Sequence, residues 1–411
     1  LLHYGHKRLL ERAKALGDYL IVGVTADSFD KSRGKINVQQ SLMERIAGVR
    51  ETGLADGIII EEYEGQKIDD IRRYGVDIFT VGSDWVGKFD YLEEYCKVVY
   101  LPRTEGVSSS QVRSEKRKIA IRIVEDKGLG NKIRRESDYV NGVEVLDDGS
   151  NVGEDAIYLF SQPERHYELI KKAIHEGKHV LCESPITMNA VQCQELFDLA
   201  RNNNVVLMDA LKTAYGTAYN RLLLLVKSGA IGKVISVDAT CTSLMRNYDT
   251  ANLKGIWNSI TAWGPTALLP VFQLLGTGYI DKHIVSCYAD EAKTFDGFTK
   301  IDFIYSNAVA SIKVAKMAKS EGSLVITGTK GYIYVPSPWW KTDYFEVKYE
   351  DQNMNKRFFY QLEGEGIRYE LVAFSKEIES GINNSYVSEE ISVAIAKVME
   401  DWADVTDSIS L

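Results

Sequence analysis

The chain reads as an α/β protein. A doubly wound parallel sheet comes first, a second parallel α/β unit follows, and a large, mostly antiparallel α+β sheet with closing helices ends it. Three observations predict this. Up to about residue 101, short apolar runs alternate with helical periodicity, the mark of βα units on a parallel sheet. The alternation restarts near Ile119. From Lys233 onward, strand patterns follow one another directly.

The elements follow in order. Residues 7–16 put Leu9, Leu10, Ala13 and Leu16 on one helical face, and Gly17 stops the helix. A buried strand is expected over 18–25, a helix over 42–52, a strand over 57–61 and a helix over 67–74. Strands at 77–82 and 97–101 complete this part, followed by a turn-rich loop over 102–110 and a charged linker over 114–118. The second unit reads as strand 119–124, a glycine turn, a helix to Val140, strands 143–146 and 155–161, helix 165–177, strand 179–183, helix 190–203, strand 205–209 and helix 219–229. The last part reads as strands 234–241, 283–288, 299–305, 308–316, 323–328, 332–335 and 345–349, with helices 367–380 and 388–402. The implied domains are 1–116, 117–230 and 231–411.

Composition narrows the function. A chain of 411 residues with 45% hydrophobic and 26% charged content is globular and long enough for two or three domains. A net charge of −9 argues against a broad nucleic-acid surface. No apolar run approaches the ~20 residues of a membrane span, so no membrane insertion is expected. Five scattered cysteines without a CxxC pair fit reduced thiols in a cytoplasm and no zinc site. The chain opens on a helical pattern, where an α/β domain ordinarily has a strand first, so a strand is expected ahead of Leu1.

His3-Tyr4-Gly5-His6 sets two imidazoles on one face at a helix start. Unpaired amides and the positive end of the helix dipole favour an anion there, and Gly5 allows close approach. This suits a phosphate undergoing transfer. A metal pair or two surface histidines is the alternative. Arg103-Thr104-Glu105-Gly106-Val107-Ser108-Ser109-Ser110 follows a strand and precedes a short helix, which makes a second anion site or an ordinary capped turn.

Together, HxGH and RTEGxS, with LLERAKALGDYLIVGVT and VGSDWVGKFDYL, resemble the glycerol-3-phosphate cytidylyltransferase family over residues 1 to about 115. The resemblance implies a nucleotidyltransferase version of the doubly wound sheet. It also implies CTP with Mg²⁺, a polyol phosphate substrate and a CDP-alcohol product. It would give His3 and His6 the α-phosphate in the transition state, and Arg103, Thr104, Ser108 and Ser109 the triphosphate. Lys35 resembles the family's phosphate-contacting lysine, Arg45 matches a substrate-binding arginine that follows it, and Asp84 and Trp85 follow a strand at its ligand-binding end, as substrate-binding or structural residues. The family's first strand would precede Leu1 and would be the central member of the sheet.

GKHVLCESPITMNAVQCQELFDLARNNNVVLMDALKTAYGTAYNRLLLLVKSGAIGKVISVDA resembles the glucose-fructose oxidoreductase and inositol dehydrogenase family, from about 119 to 411. This implies a Rossmann-like domain, NAD(P), hydride transfer on a sugar- or polyol-like alcohol, and homo-oligomers built through the open sheet face. The family's Glu-Lys-Pro is Glu183-Ser184-Pro185 here, and Ser184 has no suitable pKa for acid–base work. The downstream Asp and His positions align with Ala262 and Thr266. In the glycine turn, Gly128 and Gly130 are the first two glycines in one register. In the other, which is slightly favoured, Glu125, Lys127 and Gly130 occupy the three positions. Gln162 and Pro163 fall on the nicotinamide-side loop, and Lys212 is the lysine nearest the expected pocket, as a substitute base, a phosphate ligand or a structural residue. Only 147–154 joins two strands taken as neighbours, shorter than the ~10–12 residues of a parallel crossover, so missing residues or a deletion are expected there.

Two readings remain. One is a cytidylyltransferase whose second part is a non-catalytic module with degenerate residues. The other is a bifunctional enzyme whose active NAD(P)-dependent oxidoreductase part makes or modifies a polyol phosphate, destined for a surface polymer such as a teichoic acid or capsule.

Overall fold

The computed structural model describes residues 4–25, 42–61, 66–102, 118–124, 128–147, 149–245, 253, 255–360, 362, 364–381, 385–404 and 407–410. The chain forms two compact units, Leu1–Lys118 and Ile119–Leu411.

In the first unit, helix α1 (Tyr4–Lys14) leads to strand β1 (Ile21–Thr25). Helix α2 (Leu42–Glu51), strand β2 (Gly57–Glu61) and helix α3 (Gln66–Tyr74) follow, then strands β3 (Ile78–Gly82) and β4 (Lys97–Leu101). The strands run parallel in two pairs, β1 with β2 and β3 with β4, and no ladder joins the pairs among the described residues. α1 packs on β3 and β4, while α2 covers β1 through Ile46 and Val49 against Val24. Polar ties hold α1 at both ends of the sheet strands. Lys14 Nζ lies 2.5 Å from Asp56 Oδ2, ahead of β2, and Arg12 Nη1 donates to the Pro102 carbonyl, just after β4, at 2.6 Å.

The second unit opens with a five-stranded parallel sheet of β5 (Ile119–Val124), β6 (Val143–Val145), β7 (Ala156–Leu159), β8 (His179–Cys182) and β9 (Leu207–Asp209). Its order is β6-β5-β7-β8-β9, which corrects the expectation that β6 and β7 are neighbours. β5 lies between them, so the chain after β6 passes over β5 without a helix. Arg122 on β5 holds that passage down, with Nε 3.0 Å from Glu154 Oε2 and Nη2 donating to the carbonyls of Ser150 and Val152 at 3.2 Å.

Helices α4 (Gly130–Ser137), α5 (Pro163–His175) and α6 (Ala190–Asn202) flank this sheet. Ile170, Ile174, Leu196 and Val180 meet in the core between α5, α6 and the strands. After β9 come the one-turn helix α7 (Lys212–Tyr215) and α8 (Thr217–Lys227). The nine-stranded sheet then forms from β10 (Val234–Thr242), β11 (Asp281–Tyr288), β12 (Asp296–Ile304), β13 (Val309–Ala315), β14 (Leu324–Gly328), β15 (Tyr332–Val335), β16 (Tyr344–Lys348), β17 (Lys356–Phe359) and β18 (Ser408–Ser410). It is mostly antiparallel, and only β10 with β13 and β11 with β18 pair in parallel.

Between β10 and β11 runs α9 (Ser259–Leu275), a helix absent from the sequence expectations. Pro265 and Pro270 lie inside it, and it is apolar nearly all round because it is sandwiched between the sheet and the last helix. Helices α10 (Ile367–Ser380) and α11 (Glu389–Ala403) close the unit. Both reach back to the five-stranded sheet: Ala396 of α11 joins its core. No helix among the described residues is long and apolar enough to cross a membrane.

Candidate active sites in the two units

In the first unit, His6 sits half-buried in the first turn of α1, with Gly5 beside it. Arg45 is half-buried on α2. Asp84, exposed, and Trp85, half-buried, lie on the single turn Ser83–Trp85 directly beyond the carboxyl end of β3. The segment that follows this turn is anchored from β4: Tyr100 donates to Asp90 Oδ1 at 2.6 Å and accepts from the Phe89 amide at 3.1 Å. The Phe89 ring lies 5.3 Å from Phe79 on β3 and 5.8 Å from Trp85. Lys88 Nζ stands 5.2 Å from the Trp85 ring centre. His3, Lys35, Arg103, Thr104, Ser108 and Ser109 lie outside the described residues.

In the second unit, the turn after β5 carries Gly128 at φ +100, which favours glycine, and Gly130 starts α4 buried. Glu125 and Lys127 lie outside the described residues. Asp147 follows β6 with its side chain exposed, a residue the sequence reading passed over because a deletion was expected there. A glycine turn into a helix start beside a strand-end carboxylate is a donor set that fits the pyrophosphate and ribose of a dinucleotide. Gln162 caps α5 with Pro163 in its first turn, and the Gln162 amide donates to the Gly255 carbonyl at 2.7 Å.

Beyond the ends of β8 and β9, charged groups gather. Lys212 Nζ lies 2.5 Å from Glu183 Oε1, and a quarter of its side chain is exposed (25%). The Tyr158 hydroxyl, on β7, is 2.7 Å from Glu183 Oε1 and 2.9 Å from Glu370 Oε1 on α10. Ser184 and Ser392 donate to Asp209 Oδ2 at 3.2 and 2.9 Å. Asp209 Oδ1 and Glu370 Oε2 are buried without a hydrogen-bond partner. Burial pushes the Asp209 carboxyl up to about 7, against the two serine bonds. Burial, only partly countered by Lys212, pushes Glu370 up to about 8. For Lys212, burial pulls downward, yet Glu183 and Glu370 hold its ammonium above the ordinary lysine value. Burial and then the two carboxylates drive the Tyr158 phenol well up.

The structure thus brings Glu183 and Lys212 together, and puts Ser184 on Asp209 instead of in an acid–base role. Ala262 and Thr266 lie half-buried on α9. Sequence reasoning missed Tyr158, Asp209, Glu370 and Ser392. Glu370 did leave a signal: it shares the buried face of α10 with Ile367, Leu371 and Phe374, where an apolar residue is the norm.

Comparison with known proteins separates the same two units. Residues 1–115 match the family model described as cytidylyltransferase-like, and residues 120–210 match the oxidoreductase family with an NAD-binding Rossmann fold. Glycerol-3-phosphate cytidylyltransferase of Bacillus spizizenii is 47% identical over 115 residues, 28% of this chain and 88% of the relative. The Staphylococcus aureus enzyme is 42% identical over 120 residues, 28% of this chain and 86% of the relative. Trans-1,2-dihydrobenzene-1,2-diol dehydrogenase of Xenopus tropicalis is 27% identical over 272 residues, 60% of this chain and 77% of the relative. A 3-ketoreductase from Actinomadura kijaniata, solved with NADP and TDP-benzene, shares the fold at a TM-score of 0.59 and 16% identity, over 72% of this chain and 99% of that one. The chain therefore belongs, through its first 115 residues, to the cytidylyltransferase-like family, and is a nucleotidyltransferase fused to a unit of the Gfo/Idh/MocA oxidoreductase type.

Proposed function

We propose that the first unit transfers a cytidylyl group from CTP to a polyol phosphate, giving CDP-glycerol or a related CDP-polyol. A phosphate oxygen of the polyol phosphate attacks the α-phosphorus in line. The O–Pα bond forms, the bond to the β-phosphate bridging oxygen breaks, and pyrophosphate leaves. The observation that carries this reading is the 47% identity across 88% of a glycerol-3-phosphate cytidylyltransferase. His6 in the first turn of α1 supports it. His3 and His6 would stabilise charge on the α-phosphate, with Arg103, Thr104, Ser108, Ser109, Lys35 and Arg45 on the phosphates. Asp84 and Trp85 would meet the substrate at the end of β3. Mg²⁺ would offset phosphate charge. CTP's own phosphates would carry the ion.

The second unit is inferred to bind NAD(P), with α4 under the pyrophosphate and Asp147 near the ribose. The bound dinucleotide would supply or accept a hydride. A cytoplasmic setting fits five free cysteines, four of them buried.

The test is pyrophosphate release by the whole chain across CTP, UTP, ATP and GTP, each with sn-glycerol 3-phosphate and longer polyol phosphates. CTP-dependent release with one polyol phosphate is expected. Release that ignores the base or the alcohol phosphate would overturn the reading.

A further inference from the structure

The second unit lacks the lysine at 184 that the resemblance would call for, yet holds a lysine in the right place by another route. Lys212 and Glu183 stand directly beyond the carboxyl ends of β9 and β8, where open α/β sheets bind their ligands. Lys212 is partly exposed and backed on its main-chain side by Gly366, where a Cβ would come within 3.1 Å of its carbonyl.

Proton counting defines the rest. The Tyr158 hydroxyl lies within hydrogen-bond distance of two carboxylates, Glu183 and Glu370. A phenol has one proton and can donate to only one of them. The other contact needs a proton on the carboxyl side. Glu183 already accepts from the Lys212 ammonium, so the extra proton belongs on Glu370, which is fully buried and whose second oxygen has no partner. The result is a directed chain. The Glu370 hydroxyl donates to the Tyr158 oxygen, Tyr158 donates to Glu183, and Lys212 donates to Glu183 from the other side. The titratable groups facing Glu370 are Tyr158 from β7, Glu183 beyond β8, Asp209 at the end of β9, and Lys212 and Tyr215 on α7. Burial holding Glu370 up to about 8 agrees with a proton resident there at neutral pH.

We infer that Lys212 is the proton donor of a carbonyl reductase site in the second unit, recharged from Glu370 through Tyr158 and Glu183. This rests on the reading that the unit binds NAD(P), whose reduced form supplies the hydride and leaves oxidised. Lys212 gives its Nζ proton to the carbonyl oxygen as the carbonyl carbon becomes C–H, so ketone or aldehyde becomes alcohol. Tyr158 then passes its proton to Glu183, which hands it on to Lys212, and Glu370 passes its own proton to Tyr158. Glu370 is left ionised and takes a proton from solvent before the next turnover. An already protonated lysine favours reduction over oxidation. The substrate class is a small polyhydroxy carbonyl. Reduction of a ketose phosphate gives a polyol phosphate, the class the first unit consumes in the proposed function.

The experiment uses the whole chain. Binding of NADPH and of NADH is followed by fluorescence, and their oxidation is followed with dihydroxyacetone, dihydroxyacetone phosphate, ribulose 5-phosphate and fructose 6-phosphate. Infrared difference spectra at neutral pH compare wild type with Glu370→Gln. The expected result is cofactor binding, reduction of at least one ketose phosphate, and a protonated-carboxyl band that Glu370→Gln removes. Lys212→Met should then lower kcat at least 100-fold, the scale of a general acid, with cofactor affinity within about threefold of wild type. Tyr158→Phe should lower kcat with KM unchanged. A Lys212→Met enzyme as fast as wild type, or a band unaffected by Glu370→Gln, overturns the inference. So does cofactor binding without reduction of any of the four carbonyls. Absence of cofactor binding overturns both this inference and the reading of the unit beneath it.

Discussion

The candidate groups of the first unit and the carboxylate cluster of the second lie in opposite surroundings. In the first, His6 and Trp85 are half-buried and Asp84 is exposed, carried on a helix start and a single turn. In the second, Tyr158, Asp209 and Glu370 are at most 1% exposed, inside a large core. The difference follows from the chemistry each would perform. Moving a polyanionic nucleotide asks for many donors arranged around a large, wet ligand. Moving a proton asks for a few groups shifted toward neutral pH, and burial is what shifts them.

This contrast can be broken by experiment. The largest effect is expected from His6→Ala, which should reduce CTP-dependent pyrophosphate release at least 100-fold. Turnover near wild type would remove His6 from the site. Next comes the packing side of the comparison. Trp339 is fully buried, donates from Nε1 to the Thr240 carbonyl at 3.0 Å, and its ring centre lies 6.3 Å from Tyr219. Trp339→Ala should cost about 3–5 kcal/mol in denaturant unfolding.

Two smaller effects sharpen the electrostatic side. Asp209 holds its proton in the folded chain up to about pH 7, whereas an unfolded aspartate releases it near 3.8. The folded state then binds more protons over that interval, so this group's contribution to stability falls as pH rises from about 4 to about 7 and levels off above. Asp209→Asn should flatten that slope in melting curves taken across the range. Glu154 has the opposite sign. Hydrogen bonding to Lys178 first, offset by partial burial and aided by Arg122, holds its carboxyl at about 2, against an ordinary 4.5. Its stabilisation is full above about pH 4.5 and is lost as pH falls toward 2, so Glu154→Gln should lower stability at pH 6 and change little at pH 2.

The same contrast explains what could be read from the sequence. The motifs proposed to hold phosphates are contiguous, His3–His6 and Arg103–Ser109, because a helix start or a single loop can present several donors at once. The strand and helix alternation was legible through β9 because each element carries its own period. The charged cluster of the second unit was not, since Tyr158 and Glu370 meet across 212 positions. α9 was missed because a helix buried on all sides has no polar face to mark its period, and its two prolines read as breaks. The β6-to-β7 connection was misjudged by assuming adjacency, when β5 runs between them.

The return of the last two helices to the first sheet of the second unit has a practical consequence for anyone cutting the gene. Glu370 reaches Tyr158, Ser392 reaches Asp209, Asn189 hydrogen-bonds Glu400 at 2.6 Å and Ala396 belongs to the same buried core as Ile174. A recombinant fragment that stops shortly after β9 would leave those partners behind and present bare carboxylates and oily surface to solvent. Any chimera meant to transplant this sheet has to carry α10 and α11 with it, as a noncontiguous cassette.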